Sequence, residues 1–211
     1  SGGNATAGTY ALNTDTNAAI TPGFDSAVIK DEDISTTIPA WIQGTYSTMY
    51  VNSTTSSSTF NLTESFPFLF TPASYITYNN VTAGTLVTGA VNRWFNVYQI
   101  LIPTTTDTDS QKYRTIFLQP QIEHTSLLSA TGEDVRALNL GALPNLSPEF
   151  VFWARLTYYT GASYTTTGKV QLVSITYVTG NKANQITVSG FNPTNHAALS
   201  NLQWTTSGHI G

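Results

Sequence analysis

The chain has 211 residues, of which 9% are charged, 40% hydrophobic and 12% aromatic, and its net charge is −4 at pH 7. Its eight Lys and Arg residues are scattered, which leaves no basic surface for a phosphate backbone and argues against nucleic-acid binding. No apolar run reaches the roughly 18 residues of a membrane-spanning helix, and the absence of cysteine excludes disulfides and thiolate chemistry.

Uncharged polar residues take the place of most charges, and the residue types favour β structure. The chain contains 36 Thr, 19 Ser and 16 Asn, together with 11 Tyr and 10 Phe. Threonine and aromatic side chains suit pleated surfaces better than helices. The composition therefore predicts a mainly β fold, whose stability comes from packing, strand pairing or subunit association.

Residues 1–40 are predicted to form an extended N-terminal segment. Small and polar residues dominate it, and Tyr10, Leu12 and Ile20 are isolated. Such a stretch either lies on another surface or is disordered. Its acidic cluster at 31–33 offers carboxylates to a hard cation, but adjacent carboxylates in a loop are usually only solvated.

Residues 41–190 are predicted to form a β-rich globular module. The module is either one unit or two subdomains that cover 41–91 and 92–190. Strands are predicted in the first part at 41–51, 75–78 and 85–87. The apolar runs between the strands predicted at 41–51 and 75–78 contain prolines. A proline restricts such a run to an edge strand or a packed loop.

The second part of the module is more strongly patterned. Its predicted strands cover 93–102, 114–119, 149–159, 169–178 and 185–188. The first two form an antiparallel hairpin. One short helix is predicted over about 125–138, and its apolar face consists of Leu127, Leu128, Val135 and Leu138. We therefore expect an antiparallel, β-sandwich-like module with one short helix that crosses a sheet face.

Residues 191–211 are predicted to form a C-terminal connector. Its apolar pairs lie between polar and glycine residues and keep neither helical nor strand periodicity. Such a segment buries its leucines and tryptophan only against the globular body or against identical segments of sister chains. The residues that we assign to such a contact between sister chains are His196, Leu199, Leu202, Trp204, Gly208 and His209.

The connector resembles the segment that joins trimeric modules in bacteriophage tail fibres and related tail proteins. The matching residues are His196, Leu199, Ser200, Asn201, Leu202, Trp204, Ser207, Gly208, His209 and Gly211. The chain departs from that pattern at Asn195 and Ile210, where the family often has an acidic residue and a threonine. Residues 92–180 resemble, more loosely, a module found beside this connector in such proteins.

The resemblance implies a homotrimeric, fibre-type assembly on the virion, outside the cell, with other tail proteins as partners. It also implies a structural role in attachment to the host surface, with a cell-surface polysaccharide as the ligand. A carbohydrate-binding module of a secreted enzyme is the alternative, and a depolymerase is a third hypothesis. We expect no enzymatic activity, no cofactor and no membrane insertion.

No sequence motif predicts catalysis or a metal site. His124 stands between Glu123 and Ser126, but sequence neighbours rarely point at one another, so we do not predict a catalytic triad there. Three copies of His196 or His209 around a trimer axis would be able to hold a transition metal. The alternative is that His209 forms hydrogen bonds within the connector, and we predict no metal.

Aromatic residues are the best candidates for ligand binding. Aromatic rings stack on sugar faces, while hydroxyl and amide side chains bond to sugar hydroxyls. The candidates are Trp41, Tyr46, Tyr50, Tyr158, Tyr159 and Tyr164. For each of them the alternative is packing in the core or between subunits.

Overall fold

Strands dominate the part of the chain that the computed structural model describes, which comprises residues 4–6, 10–31, 34–41, 43–52, 57–71, 74–102, 115–146 and 150–178. The strands are β1 Ala27–Asp31, β2 Ile34–Ile38, β3 Tyr46–Val51, β4 Ser58–Glu64, β5 Thr77–Asn80, β6 Thr85–Thr88, β7 Trp94–Leu101, β8 Thr115–Leu118, β9 Val151–Thr160 and β10 Val170–Tyr177. The predicted mainly β fold is confirmed, and the arrangement is consistent with a sandwich-like module.

Six strands form the main sheet in the order β10-β9-β7-β8-β3-β4, and β1-β2 and β5-β6 form two separate hairpins. The predicted antiparallel pairing of β7 with β8 is confirmed, with Tyr98 opposite Leu118 and Leu101 opposite Thr115. The sheet is not wholly antiparallel, because β3 and β8 run parallel. A parallel pair needs a long crossover, and the chain between β3 and β8 supplies it.

One face of the sheet buries the larger core cluster. Phe95 and Val97 of β7 lie beside Leu156 and Tyr158 of β9 on this face, and all four are fully buried. The layer that covers them contains Ile20, Phe24, Phe68 and Ile76. Side chains from both the N-terminal segment and the β5 region therefore complete this core.

The N-terminal segment is an integral part of the fold. The buried hydroxyl of Tyr158 donates a hydrogen bond to the Ile20 carbonyl oxygen at 2.9 Å, and that of Tyr46 donates to the Pro22 oxygen at 2.7 Å. The segment thus lies on the sheet, one of the two alternatives considered for it, and it also contributes the unpredicted hairpin β1-β2.

The opposite face of the sheet is covered by α1 Leu127–Thr131, a 3-10 turn Val135–Ala137 and α2 Leu143–Leu146. A helix is observed within the range 125–138, as predicted, but α1 is shorter than predicted because it ends at the Gly132 cap after five residues. Its predicted apolar face is wrong. Leu127 is 40% and Leu128 82% exposed, while Ala130 and Val135 are buried. With the helix interrupted, these side chains do not share one helical face.

Among the described residues, no helix has the length and the apolar character needed to cross a membrane. The strand predicted at 185–188 and the connector at 191–211 lie outside the described residues.

Candidate functional site

A pocket of about 480 Å³ opens where the loop between β9 and β10 meets the segment that precedes β5. Two aromatic side chains, Phe70 and Tyr164, line it together with Lys169. The lining is completed by Gly168 and by residues with hydroxyl side chains, namely Ser74, Ser163, Thr165, Thr166 and Thr167. The Thr166 hydroxyl itself is buried and donates to the Val170 carbonyl oxygen. The pocket therefore combines ring surfaces, one cation and many hydrogen-bonding groups.

The Gly168-Lys169 pair shapes one wall of this pocket. Both residues have positive φ, +71° for Gly168 and +48° for Lys169, and a Cβ at Gly168 would approach the Phe68 ring to 2.9 Å. A left-handed lysine is strained, and such strain persists only where surrounding contacts over-determine it. Here the Lys169 N–H donates to the Thr166 oxygen at 2.9 Å, and its carbonyl accepts from the Gly161 N–H at 3.1 Å.

The N-terminal segment holds the same loop from outside. Asp15 Oδ1 accepts hydrogen bonds from the backbone N–H groups of Thr165, at 2.9 Å, and Thr166, at 3.2 Å. Asn17 Oδ1 accepts one from the Thr167 N–H at 2.8 Å. The loop between β9 and β10 is thus shaped by residues about 150 positions away in the sequence.

The Gln119 side chain secures the segment that leads into Phe70. Its Oε1 accepts a hydrogen bond from the Leu69 N–H at 2.7 Å, and its Nε2 donates to the Pro67 oxygen at 3.3 Å. The Phe70 ring packs edge-on against Phe66, with the centroids 5.6 Å apart, and 37% of Phe70 stays exposed. One side of this aromatic wall is therefore open to a ligand.

An aromatic row leads across the sheet to the pocket. Trp94 on β7 stands opposite Tyr159 on β9 with ring centroids 4.5 Å apart, and Tyr159 lies 6.3 Å from Tyr164. The Tyr159 hydroxyl donates to Asn92 Oδ1 at 3.0 Å. Desolvation, followed by the coulombic effects of Tyr159 and Asp15, raises the pKa of Tyr164.

Of the six predicted ligand residues, Tyr164 lines the pocket, and Tyr159 lies beside it with its ring centroid 6.3 Å from that of Tyr164. Tyr46 and Tyr158 are corrected to core residues, because both are completely buried and their hydroxyls bond to backbone carbonyls. Alternation along β9 explains the difference between Tyr158 and Tyr159, since successive side chains point to opposite sheet faces.

The remaining two candidates, Trp41 and Tyr50, are half-buried and lie elsewhere. Tyr50 is on β3, three positions from β9 in the sheet, which corresponds to roughly 14 Å between strand axes. Trp41 pairs its backbone with Phe24 and packs against the larger core cluster. Neither of them lines the pocket.

Phe70 and Lys169 were not among the predicted site residues. The run of Ser and Thr before Gly168 indicates a loop in the sequence, but nothing in its spacing indicates which other segment it meets. The predicted connector residues His196, Leu199, Leu202, Trp204, Gly208 and His209 lie outside the described residues. Within the described part, no three His, Cys, Asp or Glu side chains converge as metal ligands.

Comparison with known proteins finds no match to this chain among protein-family models, curated proteins or solved structures.

Proposed function

We propose that the chain is a structural module of a bacteriophage tail fibre or related virion appendage, which binds a host-surface glycan in the pocket beside Tyr164. The observation that carries the binding proposal is the lining of this pocket, where Phe70 and Tyr164 stand among Ser and Thr hydroxyls. Ring faces cover the apolar side of a sugar while hydroxyls exchange hydrogen bonds with its edge. Binding alone, without a chemical step, accounts for these groups.

The assembly proposal has separate support in the sequence. The connector resembles the segment between trimeric modules of tail fibres, and its Leu199, Leu202 and Trp204 need a partner surface to be buried. A chain without cysteine that works outside the cell gains stability from subunit association instead of disulfides. We therefore propose a homotrimer on the virion, in contact with other tail proteins.

Tyr164→Ala is expected to weaken glycan binding by up to about tenfold, because a ring contact contributes about 0.5–1.5 kcal/mol and about 1.4 kcal/mol corresponds to a tenfold change in affinity. A glycan array identifies a ligand for the wild-type chain, and titration calorimetry then compares the variants. Tyr50→Ala is the matched control, since it removes an equal, half-buried ring from a different part of the sheet. The binding proposal fails if no glycan binds or if both variants bind like the wild type.

Light scattering is expected to give a mass of about 68 kDa, three times the 22.8 kDa chain. Charge at the threefold contact is costly to bury, so the double variant Leu199→Asp, Leu202→Asp is expected to give monomers with an unchanged circular dichroism spectrum. A folded wild-type monomer at micromolar concentration would contradict the trimer. If that monomer still bound a glycan, the carbohydrate-binding module of a secreted enzyme would become the better proposal.

A further inference from the structure

His124 lies beneath the start of α1 with its ring almost completely buried. Its backbone is fixed by two hydrogen bonds of 3.0 Å with Trp94, and 4% of its side chain is exposed. Nδ1 lies 2.9 Å from Ser129 Oγ. Nε2 faces Glu133 Oε1 at 3.6 Å, which is ion-pair distance, and it forms no hydrogen bond within the described part of the chain.

The Glu133 carboxylate is held in place by the sheet below it. Its Oε2 accepts hydrogen bonds from the Tyr98 hydroxyl at 2.6 Å and from Asn96 Nδ2 at 2.7 Å. Burial, and then the negative charge of Glu133, raises the pKa of Tyr98, so that this hydroxyl remains a donor. Both donors use Oε2, and Oε1 is the oxygen that faces the imidazole.

The two contacts are compatible with the tautomer that carries its proton on Nε2. With the Nε2 proton directed at the carboxylate, Nδ1 has a lone pair available to accept the Ser129 hydroxyl proton. The three groups then have the relation of nucleophile, base and orienting carboxylate, which is recognised by geometry and not by position in the sequence. The sequence neighbours of His124 have other partners. Glu123 pairs with Arg93 at 3.4 Å, and Ser126 caps α1.

Ser129 opens into a second pocket, of about 410 Å³, on the helical face of the sheet. The serine is exposed, whereas His124 and Glu133 lie behind it. Apolar side chains of Val81, Ile122, Ala137 and Leu138 contribute to the lining. A small acyl group would therefore find an apolar surface beside a serine hydroxyl.

We propose that Ser129, His124 and Glu133 form a hydrolytic site for esters of short carboxylic acids, separate from the glycan pocket. Ser129 Oγ attacks the ester carbonyl while its proton passes to His124 Nδ1. The carbonyl–alkoxide bond breaks, and the departing alcohol takes that proton. Water then attacks the acyl-serine, gives a proton to His124, and releases the carboxylic acid as Ser129 regains its hydrogen. Glu133 is a positioning residue, because it acts through the imidazole.

A fluorophosphonate probe tests the nucleophile directly on the 211-residue chain. Mass spectrometry should locate one covalent adduct at Ser129, and the chain should hydrolyse p-nitrophenyl acetate faster than buffer does. Ser129→Ala should lower kcat/KM at least about 100-fold, because the nucleophile is lost. Thr131→Ala, which removes a hydroxyl from the same helix without touching His124, should stay within about twofold of the wild type. A wild-type chain without an adduct at Ser129, or a Ser129→Ala variant that hydrolyses the ester equally fast, would overturn the site.

Glu133→Gln separates positioning from general support of the fold. The amide keeps the shape of the side chain but lacks the charge that stabilises an imidazolium, so kcat should fall while KM for the ester stays constant. Equal rates, or a change confined to KM, would remove Glu133 from the mechanism. The adduct at Ser129 and the binding of a glycan are measured separately on the wild-type chain, so failure of this site and failure of the glycan pocket are distinguishable.

Discussion

The free energy of unfolding is expected to fall steeply above pH 10, because three tyrosine hydroxyls are buried in the fold. Desolvation raises the pKa values of Tyr46, Tyr98 and Tyr158 above the ordinary value of 10, and neighbouring groups modify this main effect. These side chains stay neutral in the folded state while they ionise in the unfolded chain. Their contribution is therefore complete below pH 10 and is lost as the pH rises toward the folded-state pKa values.

Each of these tyrosines contributes a slope of about 1.4 kcal/mol per pH unit, which gives about 4 kcal/mol per unit for the three together. Urea denaturation followed by fluorescence between pH 8 and about pH 11.5 measures this slope. Tyr158→Phe should reduce the slope by about a third, because one titrating group disappears. An identical slope in wild type and variant would show that Tyr158 ionises as readily in the folded state as in the unfolded chain.

Phe117→Ala should lower the free energy of unfolding by about 3–5 kcal/mol, the usual cost of emptying a buried phenylalanine site. Phe117 on β8 is completely buried, and its ring centroid lies 5.9 Å from that of Phe24 and 5.2 Å from that of Tyr46. The variant therefore opens a cavity between the sheet and the N-terminal segment. Urea denaturation at pH 7 measures the loss.

Leu128→Ala is the matched control for this cavity. Leu128 is 82% exposed, so its truncation should change the free energy of unfolding by no more than about 0.5 kcal/mol. If Phe117→Ala cost as little as the control, the interface between β8 and the N-terminal segment would not be packed as described.

The Phe117 cavity is also expected to affect the pocket beside Tyr164, for which we propose glycan binding. Phe24 belongs to the segment whose Asp15 and Asn17 side chains hold the loop between β9 and β10. Loosening this segment should therefore widen the distribution of loop conformations and weaken binding beyond the effect on global stability. The hydrogen bonds of Asp15 and Asn17 therefore link the position of the N-terminal segment to the shape of the pocket.

Local sequence pattern was sufficient to locate most strands of the main sheet. The strand predicted at 93–102 is observed at Trp94–Leu101, and the one predicted at 169–178 is observed at Val170–Tyr177. Apolar and β-branched residues favour an extended backbone whichever strand they pair with. The position of such a strand in the sequence therefore depends little on which strands lie beside it in the sheet. The same reasoning does not select its partner, and the parallel pairing of β3 with β8 was not predicted.

The helix and the N-terminal segment show where local pattern is insufficient. Spacing alone placed Leu127, Leu128 and Val135 on one face, but Gly132 ends α1 before that face is complete. Residues 1–40 have too few apolar side chains to indicate a core of their own. Ile20 and Phe24 are nevertheless buried, because the sheet provides the surface against which they pack. Two tyrosine hydroxyls of the sheet also donate hydrogen bonds to the carbonyl oxygens of Ile20 and Pro22.

The sequence by itself determined the mainly β class, the position of the central strands and a set of aromatic binding candidates, because these depend on residue type and short-range alternation. The tertiary structure decided which candidates remain accessible: it buries Tyr46 and Tyr158 and joins Tyr164 to Phe70 across distant segments. In the folded chain the His124 ring contacts the side chains of Ser129 and Glu133, and not those of Ser126 and Glu123. A binding or catalytic site depends on distances between side chains, and those distances exist only after the chain has packed.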